Sequence, residues 1–207
     1  MAITLYHHPY SRAATVVWML EELGQPYSLE YVDLRAGAQK EEPHLHRNRM
    51  GKLPVLVDDG TPISETAAIG LYLADRYAPG TLAPALDDPA RGAYLRWAFY
   101  GPSVVEPGCT AHNANWETRP SAVGWGRYED MLATLEEGLQ PGPWLLGDRF
   151  TMADLLLGAT VRWMLMFKML DSRPAFEAYK ERLEARPAFQ RAAAINQRVA
   201  AERGLGG

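Results

Sequence analysis

Asn48-Arg49-Met50-Gly51-Lys52-Leu53-Pro54-Val55-Leu56 is the stretch on which the reading of the first half of this chain turns. Proline has no N–H for a central sheet ladder, so Pro54 at the head of the apolar run Val55-Leu56-Val57 marks a special backbone position. Two readings fit it. One is a trans proline opening an edge strand. The other is a cis Leu53–Pro54 corner that turns Leu53 outward, leaving its N–H and C=O to pair with a peptide-like ligand as a further strand would. Cis forms make up only about 5–6% of X–Pro bonds in folded proteins, so the flanking residues have to choose. After the strand, Asp58-Asp59-Gly60 is a turn signal and Thr61-Pro62-Ile63 returns as a short partner, which makes a hairpin. Ala68, Ile69, Tyr72 and Leu73 then form one helical face, with Glu65 and Thr66 in the first turn and Ala78-Pro79-Gly80 at the stop. A carboxylate and a hydroxyl at the positive end of a helix suit an amino-acid head group: Glu65 faces its ammonium, while Thr66 and nearby N–H groups receive its carboxylate. An ordinary N-cap would use the same residue types.

Working outward, Ile3-Thr4-Leu5-Tyr6 alternates as a strand, and from Ser11 the residues Val16, Val17, Leu20 and Leu23 recur at helical spacing until Gly24-Gln25-Pro26. Tyr27 to Leu34 alternates again, and the polar run Gln39 to Asn48 has room for a short exposed helix. A strand, a crossover and a second strand force a parallel pair. The predicted order over residues 1–79 is β-α-β-α-β-β-α, the thioredoxin-like arrangement. Residues 80–89 read as a linker, because prolines and small or acidic residues defeat both regular structures there, with the boundary near residue 85. From 90 to 207 no strand alternation is found; apolar residues fall at helical spacing in Tyr94–Phe99, Met131–Leu139, Leu155–Leu170 and Tyr179–Leu183. The expected fold class is an α/β domain followed by an all-α domain.

Composition narrows the partners. The chain has 207 residues, 47% hydrophobic and 22% charged, with a net charge of −4 and no dense Lys/Arg block, so nucleic acid is not an expected partner. One cysteine, Cys109, excludes an internal disulfide and any multi-cysteine metal site, and no metal is expected; the thiol reads as a small buried hydrophobe. Met1 to Leu5 lacks the basic segment of a secretory signal. Met152–Leu170 is almost long enough for a bilayer, but Asp154, Arg162 and Lys168 make it a core helix instead. A cytoplasmic protein without a membrane partner is expected.

Three segments in order resemble the glutathione transferase superfamily, and the likeness spans nearly the whole chain. Asn48 to Leu56 is similar to its N-P-x-G-K-[VL]-P-V-L segment, with Arg49 in place of the usual proline. Glu65-Thr66-Ala67-Ala68-Ile69 with Tyr72-Leu73 is similar to E-S-x-A-I-x-x-Y-L, with the hydroxyl kept, and Gly147 to Asp154 is similar to G-x-x-[FL]-[ST]-x-A-D. Thr151 and Asp154 are there read as a structural capping box. The resemblance favours the cis corner at Pro54 and implies a detoxification enzyme that uses glutathione as co-substrate. Glutathione would be held by Lys52, Leu53, Pro54, Glu65 and Thr66, with Lys52 near its glycine end. A thiol of pKa ~8.5 is mostly protonated at neutral pH, so such an enzyme must stabilise the sulfur anion.

The resemblance implies a serine- or tyrosine-type cytosolic member of bacterial kind. Ser11, two residues after Pro9 at the start of the first helix, is the candidate donor, with Arg12 as an electrostatic helper. Tyr6 is the alternative, and Tyr10 and His8 are weaker rivals. Residues 7–14 contain no cysteine, which disfavours disulfide exchange through a protein thiol. Conjugation, isomerisation, dehalogenation and peroxide reduction share one thiolate, so the motif does not select among them. The second substrate, a small, largely apolar electrophile, would lie between the domains, where Tyr94, Trp97, Tyr100, Trp116 and Trp125 are aromatic candidates. A homodimer is also implied. A non-catalytic binding or regulatory protein on the same fold, or a carrier of apolar ligands, is the competing reading.

Overall fold

The computed structural model describes residues 2–140 and 142–206. They fall into two compact units, one of Met1–Leu73 with Arg186–Gly207 and one of Ala74–Ala185.

In the first unit, β1 (Ile3–His7), α1 (Ala13–Leu23) and β2 (Tyr27–Tyr31) form the predicted β-α-β step, with β1 and β2 parallel. Ile3, Leu5 and His7 are buried on one face of β1, as the period-2 pattern requires. Helix α1 stops at Gly24, whose left-handed φ of 65° places its N–H on the Leu20 carbonyl. A 3-10 turn (Ala38–Lys40) and the short α2 (Glu42–Leu45) occupy the polar run. Then come β3 (Val55–Asp58), β4 (Thr61–Ser64) and α3 (Thr66–Tyr77). The sheet order is β2-β1-β3-β4, with β3 antiparallel to both neighbours. This is the thioredoxin-like β-α-β-α-β-β-α order.

In the second unit, α4 (Arg91–Tyr100) continues through a π-helical turn (Gly101–Val105) into α5 (Glu106–Asn113). Next are α6 (Tyr128–Gly138), α7 (Met152–Met166) and α8 (Pro174–Glu184). Helix α7 is buried over most of its length and opens with the predicted capping box of Thr151 and Asp154. Asp154 accepts from the backbone N–H groups of Leu145 (2.8 Å) and Thr151 (2.9 Å) and from the Tyr179 hydroxyl (3.1 Å). Burial pushes its carboxyl pKa up, against those bonds and one from the Thr151 hydroxyl. No helix among the described residues is long and apolar enough to cross a membrane.

Helix α9 (Pro187–Glu202) returns to the first unit and packs along α1. Trp18 meets Phe189 edge to face at 5.2 Å. Glu22 is held bidentately by Arg186 (2.6 and 2.8 Å) and also accepts the Trp18 indole N–H (2.9 Å). Arg191 pairs with Glu21 at 2.7 Å.

Candidate functional site

Strand register gathers the predicted residues. Tyr6 of β1 lies opposite Val55 of β3, and Val55 lies opposite Ser64 of β4. The exit of β1, the entry to β3 and the exit of β4 therefore share one end of the sheet. The Ser11 loop, the Leu53–Pro54 corner and the Glu65–Thr66 helix start all leave from that end.

The Leu53–Pro54 bond is cis. Pro54 is buried, Leu53 is half-buried and Lys52 is exposed. Among the described residues, no hydrogen bond engages the N–H or C=O of Leu53. The approach to the corner is tied down. Lys52 C=O accepts from Asn48 Nδ2 (3.1 Å) and His44 Nε2 (3.0 Å), while Asn48 Oδ1 accepts the Met50 N–H (3.0 Å) and Lys40 Nζ reaches Met50 C=O (2.8 Å). Because a carbonyl only accepts, His44 carries a proton on Nε2. His44 was not singled out from sequence, and Asn48 entered only as the first residue of the matched segment, although an Asn three residues before a Gly is a readable turn signal.

Glu65 precedes α3 in the left-handed region, φ 71°, and its carbonyl accepts the Ile69 N–H at 2.9 Å to start the helix. A non-glycine residue in that region costs about 1–3 kcal/mol and concentrates at ligand clamps. The conformation keeps the Glu65 side chain exposed beside the half-buried Thr66.

Ser11 is half-buried just before α1. Its Oγ donates to His8 C=O (2.8 Å) and accepts the Ala13 N–H (3.1 Å), and its own N–H also reaches His8 C=O (3.1 Å). Tyr6 lies on the opposite face of β1 from His7, with the Arg47 guanidinium 4.3 Å from its ring centroid and His44 edge-on at 6.2 Å. The two rival hydroxyls thus stand in different surroundings, one at a helix start and one over α2. His7 is fully buried; its Nε2–H meets Asn196 Oδ1 of α9 at 2.7 Å. Burial holds the His7 imidazole pKa below its usual value, against the Asn196 bond that raises it. His8 is also lowered, chiefly by burial.

Of the aromatic candidates in the helical unit, Tyr94 and Trp97 are core, and Tyr100 is half-buried with its hydroxyl 3.3 Å from Met131 C=O. Trp125 touches the position where Gly108 would carry a Cβ, and Trp116 is exposed in the α5–α6 connection. Cys109 is buried, with its thiol pKa pushed up to about 12, chiefly by burial, so it is no nucleophile at neutral pH.

Residues 1–75 match the family described as "Glutathione S-transferase, N-terminal domain", and residues 110–194 match "Glutathione S-transferase, C-terminal domain". Glutathione S-transferase 3 of Zea mays is 31% identical over 93% of this chain and 93% of its own length. The Disulfide-bond oxidoreductase YfcG of Escherichia coli (strain K12) is 30% identical over 90% of this chain and 92% of its own. The crystal structure of a glutathione transferase from Methylococcus capsulatus str. Bath superposes with a TM-score of 0.78 at 30% identity, covering 94% of this chain and 98% of the other. With both family domains matched, and the Leu53–Pro54 corner, the Ser11 loop and the Glu65–Thr66 helix start grouped at one end of a thioredoxin-like sheet, the chain belongs to the glutathione S-transferase superfamily.

Proposed function

We propose that this protein ionises glutathione at Ser11 and directs the thiolate at a small, largely apolar electrophile, working as a cytoplasmic homodimer. The observation that carries the reading is the meeting of the Leu53 backbone, the Glu65–Thr66 helix start and the Ser11 loop at one end of the sheet. In this reading Leu53 pairs with the cysteinyl backbone of glutathione beside Pro54, Glu65 and Thr66 take the γ-glutamyl head group, and Lys52 offsets the glycine carboxylate. Residues 1–79, with α9 packed along α1, act as the glutathione-binding domain, 80–89 as linker, and the helices between 90 and 185 as the part that recognises the electrophile.

Ser11 supplies the chemistry by a small rotation. Its hydroxyl proton now lies on His8 C=O. Turning it toward sulfur keeps the Ala13 N–H bond to Oγ and adds a donor to the developing anion. A hydrogen bond to a charged group is worth about 1.5–3 kcal/mol, or roughly one to two pKa units on the thiol. Ser11→Ala should therefore lower kcat about ten- to a hundredfold, with the KM for glutathione nearly kept. Steady-state kinetics beside Tyr6→Phe decide it: a large loss in Tyr6→Phe and none in Ser11→Ala would move the donor to the phenol. An ultraviolet thiolate signal on adding glutathione separates this enzyme from a non-catalytic binder.

The oxidoreductase relative favours a second reading, in which glutathione thiolate attacks one sulfur of a small disulfide. A mixed disulfide with glutathione forms and the other half leaves as a thiolate. Residues 7–14 hold no cysteine, so glutathione itself would be the attacking thiol. Turnover of hydroxyethyl disulfide with glutathione, absent with an aryl halide, would favour this reading over conjugation.

A further inference from the structure

Helix α9 ends in a turn that fixes a carbonyl group. Gly204 takes a left-handed φ of 61° and donates to Ala201 C=O (3.1 Å), while the Leu205 N–H reaches back to Ala200 C=O (2.9 Å). These are the two bonds of a Schellman motif, with its apolar pair, Ala200 and Leu205, both buried. Leu205 C=O then accepts the Tyr10 hydroxyl at 2.8 Å.

Tyr10 is 56% exposed, so burial does not account for its orientation. It is held at both ends: the ring by Leu205, and the backbone N–H by His8 Nδ1 at 3.2 Å. The His8 ring is edge-on to Tyr10 at 6.0 Å and lies 5.6 Å from that of Tyr31, which in turn carries the Arg203 guanidinium at 4.6 Å. Arg203 and Leu205 thus touch the two aromatic neighbours of His8, whose carbonyl accepts the Ser11 N–H at 3.1 Å, a bond that remains when the hydroxyl turns to sulfur. On the strand side, His7 is tied to Asn196 of the same helix. One helix and its closing turn grip the Ser11 loop from both sides.

We infer that the turn Arg203–Leu205 holds the Ser11 hydroxyl in line for the glutathione sulfur, with Tyr10 as the positioning residue that transmits the contact. The inference rests on the role proposed for Ser11. A donor must stand within hydrogen-bond reach of the anion, and displacement on the order of 1 Å is costly in rate. Without the Leu205 anchor, Tyr10 and the His8 carbonyl drift together, and Ser11 spends less time aimed at sulfur. Binding of the glutathione backbone, which uses other segments, is untouched.

The test uses the full chain as Tyr10→Phe, Ser11→Ala, the double variant and Gly204→Ala. Because Tyr10 is exposed, Tyr10→Phe should melt close to the parent. It should lower kcat about three- to tenfold and raise the apparent pKa of bound glutathione, followed by thiolate absorbance, while the KM for glutathione stays within about twofold. Gly204→Ala should act in the same direction without altering the loop itself, and the double variant should be no slower than Ser11→Ala. Parent-like kcat and thiol pKa in Tyr10→Phe, beside a slow Ser11→Ala, overturn the inference and leave the role of Ser11 standing. So does an equal loss from Tyr10→Phe in both backgrounds. A Ser11→Ala enzyme with parent turnover removes the role of Ser11, and the inference with it.

Discussion

Gly51 shows how closely single residues are set around the corner. Its φ is 57°, and a Cβ there would come within 2.7 Å of the Gln39 carbonyl oxygen and of Lys40 Cδ. Gly51→Ala is expected to strain the Asn48–Lys52 turn by about 1–3 kcal/mol and to weaken glutathione about tenfold, as titration calorimetry would measure. Parent affinity would mean that the turn yields without moving Leu53. The special backbone at Pro54 and the helix start at Glu65–Thr66 were readable because each is a local signal: a proline where a strand begins, a carboxylate and a hydroxyl where a helix begins. The grip of Asn48 and His44 on the Lys52 carbonyl and the left-handed backbone of Glu65 were not readable, since they depend on where loops fold back. The same holds for His7. Its place on the buried face follows from alternation, but its partner Asn196 is 189 positions away.

Among the elements, the strands and α1, α3, α6 and α7 were legible because large apolar residues mark their periods. Helix α9 was not, because its buried side is made of alanines such as Ala188 and Ala192, which carry little contrast in sequence. Helix α5 opens with Glu106-Pro107-Gly108, which reads as a break although Pro fits the first turn of a helix. Two elements invite direct tests. Asp154→Ala at the start of α7 would leave the N–H groups of Leu145 and Thr151 buried without acceptors, a loss of about 2–4 kcal/mol in denaturant unfolding. Glu22→Ala would free Arg186 and the Trp18 indole between α1 and α9 and cost about 1.5–3 kcal/mol. Parent-like unfolding midpoints in either variant would contradict these assignments.

Across the whole molecule, acid sensitivity follows from His7. Its folded pKa lies below the unfolded value of ~6.5, so between the two the unfolded chain binds more protons. The neutral imidazole therefore contributes fully above pH ~6.5, and stability falls as the pH drops below it, by up to about 1.4 kcal/mol per pH unit until the folded pKa is reached. Melting temperatures from pH 8 to 5 should fall, and His7→Gln should flatten the curve; an equally steep fall in the variant would assign the effect to other groups.

The return of α9 to the unit that holds the sheet also sets a timetable. Domains of growing chains generally fold from the N-terminal side during synthesis at about 5–20 residues per second. Here the side of α1 bearing Trp18 and Glu22 meets its partner only after the intervening helical unit has been made. The half of the protein translated first is thus the half completed last, and on the ribosome it stays open while the helices between are synthesised.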